Sequence, residues 1–220
     1  MNPRFISFEG GEGAGKSTQL KLLAQSFASA GIAHITTREP GGSPGGEAIR
    51  GLVVSGAADK WHPTTESLLF MAARYDHLAT KIAPALARGE WVLCDRFYDS
   101  TYVYQGIAKG VGTAWLDQLY ALLFGNQGPE LTLLLDLPPK TGLARTVARG
   151  NVAESRFEQM HLDFHETLRQ GFLALATANP ERIHTIDATK ATTQVHAAVI
   201  DAINQRFGLA LSTSSFPEFA

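Results

Sequence analysis

The sequence predicts an α/β fold: a five-stranded parallel sheet flanked by helices on both faces. Five short apolar runs, Phe5–Phe8, His34–Thr37, Trp91–Cys94, Leu131–Asp136 and Ile183–Ile186, alternate with longer segments of helical spacing. That is the order expected of parallel strands joined by crossover helices. The runs are nearly continuous in apolar residues, as strands covered on both faces are. Polar, chemically loaded residues follow four of the runs, at the carboxyl ends of the strands where ligands gather in such folds.

The first run leads into Gly10-Gly11-Glu12-Gly13-Ala14-Gly15-Lys16-Ser17, which fits G-x-x-x-x-G-K-[ST]. The segment after it, Ser17 to Ala30, places Leu20, Leu22, Leu23 and Phe27 at helical spacing. A loop at such a strand-to-helix turn aims unpaired N–H groups and the positive end of the helix at phosphate. Its glycines admit close approach, Lys16 reaches the terminal phosphates, and Ser17 can ligate Mg²⁺. The chain therefore binds ATP or GTP on this reading.

The second run ends in Arg38-Glu39-Pro40. A helix is predicted from about Thr64 to Ala87, bent near its end by Pro84, which lacks a backbone donor, and stopped at Gly89. The third run ends in Asp95-Arg96 and the fifth in Asp187 to Lys190. Between the fourth and fifth, the polar and weakly periodic Arg149 to Arg156 reads as a mobile flap. The tail from Gly208, with Ser212-Thr213-Ser214-Ser215 and Pro217, reads as poorly ordered.

With 220 residues, 45% of them apolar, and no linker-like composition, one domain over 1–207 with a flexible 208–220 is expected. The net charge is −2 and the twelve arginines are scattered, which argues against a non-specific nucleic-acid or membrane surface. A single cysteine, Cys94, excludes an internal disulfide. The start Met-Asn-Pro-Arg-Phe has no signal-segment pattern and no apolar run reaches 18 residues, so a soluble cytoplasmic protein is expected.

Spacing leaves several residues open. Asp95 could hold a Mg²⁺-bound water near Ser17 while Arg96 grips a second phosphate, or the two could form a surface ion pair. Arg38, Arg50, Arg74 and Arg96 have the same ambiguity, although the planar fork of arginine suits phosphate. Phe70 in Leu68-Leu69-Phe70-Met71 is by default a core position. His161 and His165 sit four apart with no third ligand spaced to join them, and Cys94 in its buried run reads as inert.

Taken in order, these segments resemble bacterial thymidylate kinases from about Phe5 to Phe207. The resemblance is carried by Phe8-Glu9-Gly10 through Gly15-Lys16-Ser17-Thr18, Thr37-Arg38-Glu39-Pro40-Gly41-Gly42, Phe70-Met71-Ala72-Ala73-Arg74 and Cys94-Asp95-Arg96-Phe97. It continues in Ser100-Thr101, Tyr104-Gln105-Gly106, Leu134-Leu135-Asp136, Arg156-Phe157-Glu158 and Ile186-Asp187-Ala188. It implies the fold of the P-loop nucleoside monophosphate kinases with a lid over about 145–157. It also implies γ-phosphoryl transfer from ATP to dTMP with Mg²⁺ in dTTP synthesis, and a homodimer formed through packed helices.

The resemblance also implies roles. Gly10, Gly11, Glu12, Gly13, Ala14, Gly15, Lys16, Ser17 and Thr18 would surround the triphosphate, with Arg145 beside the adenine and Ser17, with Asp95 through water, at the metal. Phe70 would stack on thymine. Arg74, Gln105 and Thr101 would meet its polar edge, and Tyr104 would pack under the deoxyribose. Arg38, Arg50 and Arg96 would hold the dTMP phosphate, with Glu39 and Ser100 in the same set. Because the loop carries Glu12 where some members carry the catalytic arginine, Arg149 and Arg156 of the lid would join Lys16, Arg96 and Asp95 as catalytic residues.

Two rivals fit less well. A GTP-dependent switch is disfavoured because the chain has neither N-K-x-D nor D-x-x-G after a strand. A nucleoside kinase would need a base near a 5′-hydroxyl rather than several arginines.

Overall fold

The computed structural model describes residues 4–57, 59–148, 157 and 160–213. Each apolar run forms a strand: β1 (Phe5–Glu9), β2 (His34–Arg38), β3 (Trp91–Asp95), β4 (Leu131–Asp136) and β5 (Ile183–Asp187). All pair in parallel in the order β2-β3-β1-β4-β5. Four strands run one residue past the apolar run, because Glu9, Arg38, Asp95 and Asp187 still hydrogen-bond in the ladder. The register sets Phe8 and Arg38 beside Asp95, and Asp136 beside Asp187. These polar residues therefore share one edge of the sheet.

Helices α1 (Lys16–Ser29), α2 (Pro44–Val53), α3 (Pro63–His77), α4 (Ala83–Ala87), α5 (Tyr98–Thr101), α6 (Thr113–Phe124), α7 (Pro139–Ala148), α8 (Leu162–Ala178) and α9 (Thr192–Phe207) join the strands. α1 and α9 cover one face, packing Leu23, Phe27, Val199 and Ile203 on Ile6, Phe8, Leu93 and Leu133. On the other face Phe5, Val92 and Cys94 meet Met71, Ile82, Leu116 and Phe124, and Leu134 meets Val103, Leu168 and Phe172. Each such large apolar side chain stabilises the fold by roughly 1.5–3 kcal/mol on burial. The edge strands β2 and β5 are less covered, which is why their sequences admit Thr36, His184 and Thr185. No helix among the described residues is long and apolar enough to cross a membrane.

The long predicted helix is built in three pieces. α3 passes into a π-helical turn at Leu78–Ile82 and then into α4, where Pro84 stands at the first positions. The widened turn takes up the interruption that the missing Pro84 donor creates. The chain leaves the helix at Gly89, φ 85°. A second π segment, Tyr102–Ala108, continues α5 and carries Tyr104 and Gln105 inward; the sequence reading does not anticipate it. Nor does it anticipate α2, although Ser43-Pro44 is a start signal: Ser43 Oγ accepts the Gly46 N–H and Pro44 occupies the first turn.

One expectation needs correction. The segment after Gly208 is not loose from its first residue. Asn204 bonds both the N–H and C=O of Leu211 at 2.9 Å, and Leu211 is buried among the α1 and α9 side chains. Of the expected lid over 145–157, residues 145–148 complete α7. The expected flap, Arg149 to Arg156, lies outside the described residues.

Candidate active site

α1 starts at Lys16 with Gly15 in the left-handed region, φ 92°, and no side chain caps it. Its first N–H groups are thus left for a ligand, and the loop before it curls against the sheet. A Cβ on Gly10 would lie 2.5 Å from the Leu135 carbonyl oxygen, and one on Gly13 would lie 2.0 Å from that of Gly142 in α7. Glycine at these positions is required by close backbone approach. Lys16, 7% exposed, donates to the carbonyls of Gly10 and Gly11 at 3.1 and 2.8 Å. Burial and Arg96 pull the Lys16 ammonium below its ordinary pKa, against Glu12, Asp95 and Glu9.

A cleft of about 290 Å³ opens beside the loop. Glu12, Gly13, Gly15, Lys16, Ser17 and Thr18 line it on one side. Arg38, Glu39, Arg50, Phe70, Arg74, Ser100, Thr101, Tyr104 and Gln105 line it on the other, with Asp95 and Arg96 between. Gly10, Gly11, Ala14 and Arg145 do not line it; Arg145 instead donates to the Ala188 carbonyl at 3.3 Å.

Arg96 joins the halves. Its guanidinium donates to the Gly10 carbonyl, Ser100 Oγ and Glu12 Oε1 at 3.1, 3.0 and 2.9 Å and lies 5.2 Å over the Tyr104 ring. Arg96 holds φ 69°, the only positive φ outside glycine among the described residues, at a cost of roughly 1–3 kcal/mol. What holds it there is Glu9, which the sequence reading leaves out of the site. Fully buried, Glu9 accepts the N–H of Phe97 at 2.7 Å, that of Ser100 at 3.3 Å and the Ser100 hydroxyl at 2.5 Å. Ser100 is therefore a link between Glu9 and Arg96.

Glu12 stays in the loop with its backbone while its side chain leaves it. Its side chain turns from the triphosphate loop to the acceptor side, where it accepts from Arg96 and from the Tyr104 hydroxyl at 2.8 Å. Burial alone would raise its carboxyl, but Arg96, Lys16 and Tyr104 bring it down to about 2. Glu39 likewise serves Arg74: one oxygen accepts Arg74 Nε at 2.8 Å, and the other lies 3.0 Å from His77 Nδ1. Arg74 also donates to Thr101 Oγ1 at 3.0 Å, so its plane is fixed at both ends. Phe70 and Tyr104 face Phe157 at 6.4 and 5.5 Å between ring centroids and form an aromatic wall. The Asp95–Arg96 ion pair left open by spacing is not what forms: Asp95 accepts the Ser17 hydroxyl at 2.5 Å, while Arg96 pairs with Glu12. Arg38 is paired with Glu47, and Arg50 donates to the Pro40 carbonyl at 2.8 Å.

His161 stands just before α8 without a side-chain capping bond, His165 is buried within the helix, and the described residues hold no group of three or more His, Cys, Asp or Glu placed to bind a metal. Cys94 is buried and burial pushes its thiol well above the usual range, in keeping with an inert side chain.

A pH effect follows from Glu9. Burial first, then Asp99, raises its carboxyl from 4.5 to about 7. Between those values the folded chain keeps a proton that the unfolded chain has released, so this group's contribution to stability falls as pH rises through the window. The Tm of Glu9→Gln relative to the native chain should therefore climb between pH 5 and 7.5. Thermal melts at the two pH values decide it, and a constant offset would refute it.

A family model described as Thymidylate kinase matches residues 8–199. A thymidylate kinase of Caulobacter vibrioides is 54% identical over 205 residues, covering 93% of this chain and 98% of its own. One of Magnetococcus marinus is 50% identical over 207 residues, covering 94% and 98%. Among solved structures, the crystal structure of thymidylate kinase from Ehrlichia chaffeensis superposes with a TM-score of 0.73 at 32% identity, covering 92% of this chain and 99% of that one.

Proposed function

The chain belongs to the thymidylate kinase family and transfers the γ-phosphoryl group of ATP to dTMP, and on that premise we propose how its residues divide the work. The observation that carries the assignment is the single cleft in which the phosphate loop and the acceptor-side residues meet across Arg96. The uncapped start of α1 and the loop amides hold the β- and γ-phosphates, and Lys16 leaves its two carbonyl acceptors for them. Arg38, Arg50 and Arg96 hold the dTMP phosphate. One of its oxygens attacks the γ-phosphorus as the bond from that phosphorus to the bridging oxygen of ADP breaks.

The oxygen pair Ser17 Oγ and Asp95 suits a hard cation bound through few protein ligands. Ser17, with Asp95 orienting waters, would hold Mg²⁺ there, and the ion would supply neutralisation of phosphate charge. Arg149 and Arg156 would add charge to the transferring group from the lid.

On the acceptor side Phe70 stacks on the base and Arg74 donates to O4. Gln105 has its Nε2 committed to Glu66 at 2.8 Å, so its carbonyl is the end that accepts N3–H. Cytosine reverses both groups and leaves Arg74 and Gln105 without partners. The expected order of kcat/KM is dTMP, then dUMP, then dCMP. dUMP loses only methyl contact, roughly 10 to 200-fold. Competition among the three monophosphates tests this; a preference for dCMP or a purine monophosphate would overturn it.

We also propose a homodimer. Leu68 and Tyr75 on α3, and Trp115 and Leu122 on α6, are 48%, 52%, 36% and 81% exposed, and each pair sits seven apart on one side of its helix. Apolar residues grouped in this way on packed helices favour a partner surface. Tyr75→Glu with Leu122→Glu should convert a dimer to a monomer in sedimentation equilibrium. A native chain that sediments as a monomer would refute the assembly.

A further inference from the structure

The cleft has a hidden member. Glu66, in the first turn of α3, is fully buried, does not line the cleft, and has no part in the transfer chemistry above. Its oxygens lie against Gln105 Nε2 at 2.8 Å and Lys109 Nζ at 2.8 and 2.9 Å. Lys109 in turn lies 5.0 Å over the ring of Phe157, on the aromatic wall that faces Phe70.

A glutamine amide can present either end to a neighbour, and in a buried site the surroundings must choose. A carboxylate next to an ammonium only accepts, so it draws the Gln105 NH₂ to itself and turns the Gln105 carbonyl to the cleft. The opposite orientation would set two acceptors against each other in a buried place, a cost comparable to losing a hydrogen bond outright. The described residues give that carbonyl no other donor.

We propose that Glu66, anchored by Lys109, is a specificity-determining positioning residue: by fixing the Gln105 amide it makes the site accept a pyrimidine that carries N3–H and refuse one with a bare N3. The inference rests on the placing of Gln105 at the base edge, and the test separates the two. The measured quantity is the ratio of kcat/KM for dTMP to that for dCMP.

Gln105→Ala should lower the ratio; if it does not, the placing of Gln105 is wrong and the inference falls with it. Glu66→Gln, which can donate as well as accept, should lower the ratio by about tenfold or more through a gain for dCMP relative to dTMP. If Gln105→Ala lowers the ratio and Glu66→Gln depresses both substrates equally, Glu66 is merely structural and the inference is overturned while the placing of Gln105 stands.

Exchange of the two groups gives a variant independent of that single substitution. Gln105→Glu alone sets two carboxylates together and should lose activity. Adding Glu66→Gln restores one donor between them, leaves an acceptor-only group at 105, and should recover dTMP preference over dCMP. Failure to recover it would overturn the proposal even where Glu66→Gln alone does not fold.

Discussion

Lys16→Ala is expected to fold normally and to lose on the order of 10³-fold or more in kcat, the largest effect of any single substitution in the loop. Among the described residues the Nζ of Lys16 bonds two loop carbonyls, Gly10 and Gly11, which water can satisfy once the side chain is gone. Folding should hardly notice. The transferring phosphoryl group, by contrast, would lose the ammonium proposed to neutralise its charge. Because burial already draws the pKa of this lysine down, the group is held there at some cost, as a residue kept for chemistry would be. Steady-state kinetics with thermal melts checks it: a folded variant with more than about a tenth of native kcat, a barrier change below roughly 1.4 kcal/mol, would remove Lys16 from the mechanism.

The second large effect is expected in the lid. The loop brings Glu12 to the site, and its negative charge is absorbed by Arg96 and the Tyr104 hydroxyl, so no loop residue besides Lys16 adds positive charge to the equatorial oxygens. Arg149→Ala and Arg156→Ala should therefore lower kcat much more than they raise the KM for dTMP, the signature of charge needed in the transition state. By analogy with arginine fingers the stronger of the two could approach 10³-fold. Full kcat in both variants would exclude the lid from catalysis.

How much of this could be read from the sequence follows from what each residue depends on. The loop, α1 and all five strands were legible because a phosphate cradle and a buried parallel strand each impose a local pattern. Arg38, Phe70, Arg74, Arg96 and Gln105 were legible through family resemblance, and they do line one cleft. What escaped depends on contacts across long stretches of chain. Glu9 reads as the polar end of a strand until Phe97 and Ser100 are folded onto it. Glu66 reads as an acidic residue favourable in the first turn of a helix until the π segment brings Gln105 and Lys109 to it. The loop position of Glu12 was legible and its side-chain partners were not, since a motif fixes backbone and leaves a side chain free to choose its partners. Leu211 sits in a segment whose composition suggests disorder, and one asparagine side chain is enough to hold it.

The close meeting of Gly13 and Gly142 bears on which descendants this enzyme can have. A Cβ at 13 would come within 2.0 Å of the Gly142 carbonyl oxygen, and one at 142 within 2.1 Å of that of Glu12. Each position is thus a veto on the other: neither can gain a side chain until backbone between loop and α7 has first moved apart. Position 12 is under no such veto, because its side chain already leaves the loop for Arg96 and Tyr104, and a change of charge there needs no movement of α7. Drift in this loop is thereby channelled: side-chain charge can change at 12, while the contact between 13 and 142 holds the distance from the loop to α7.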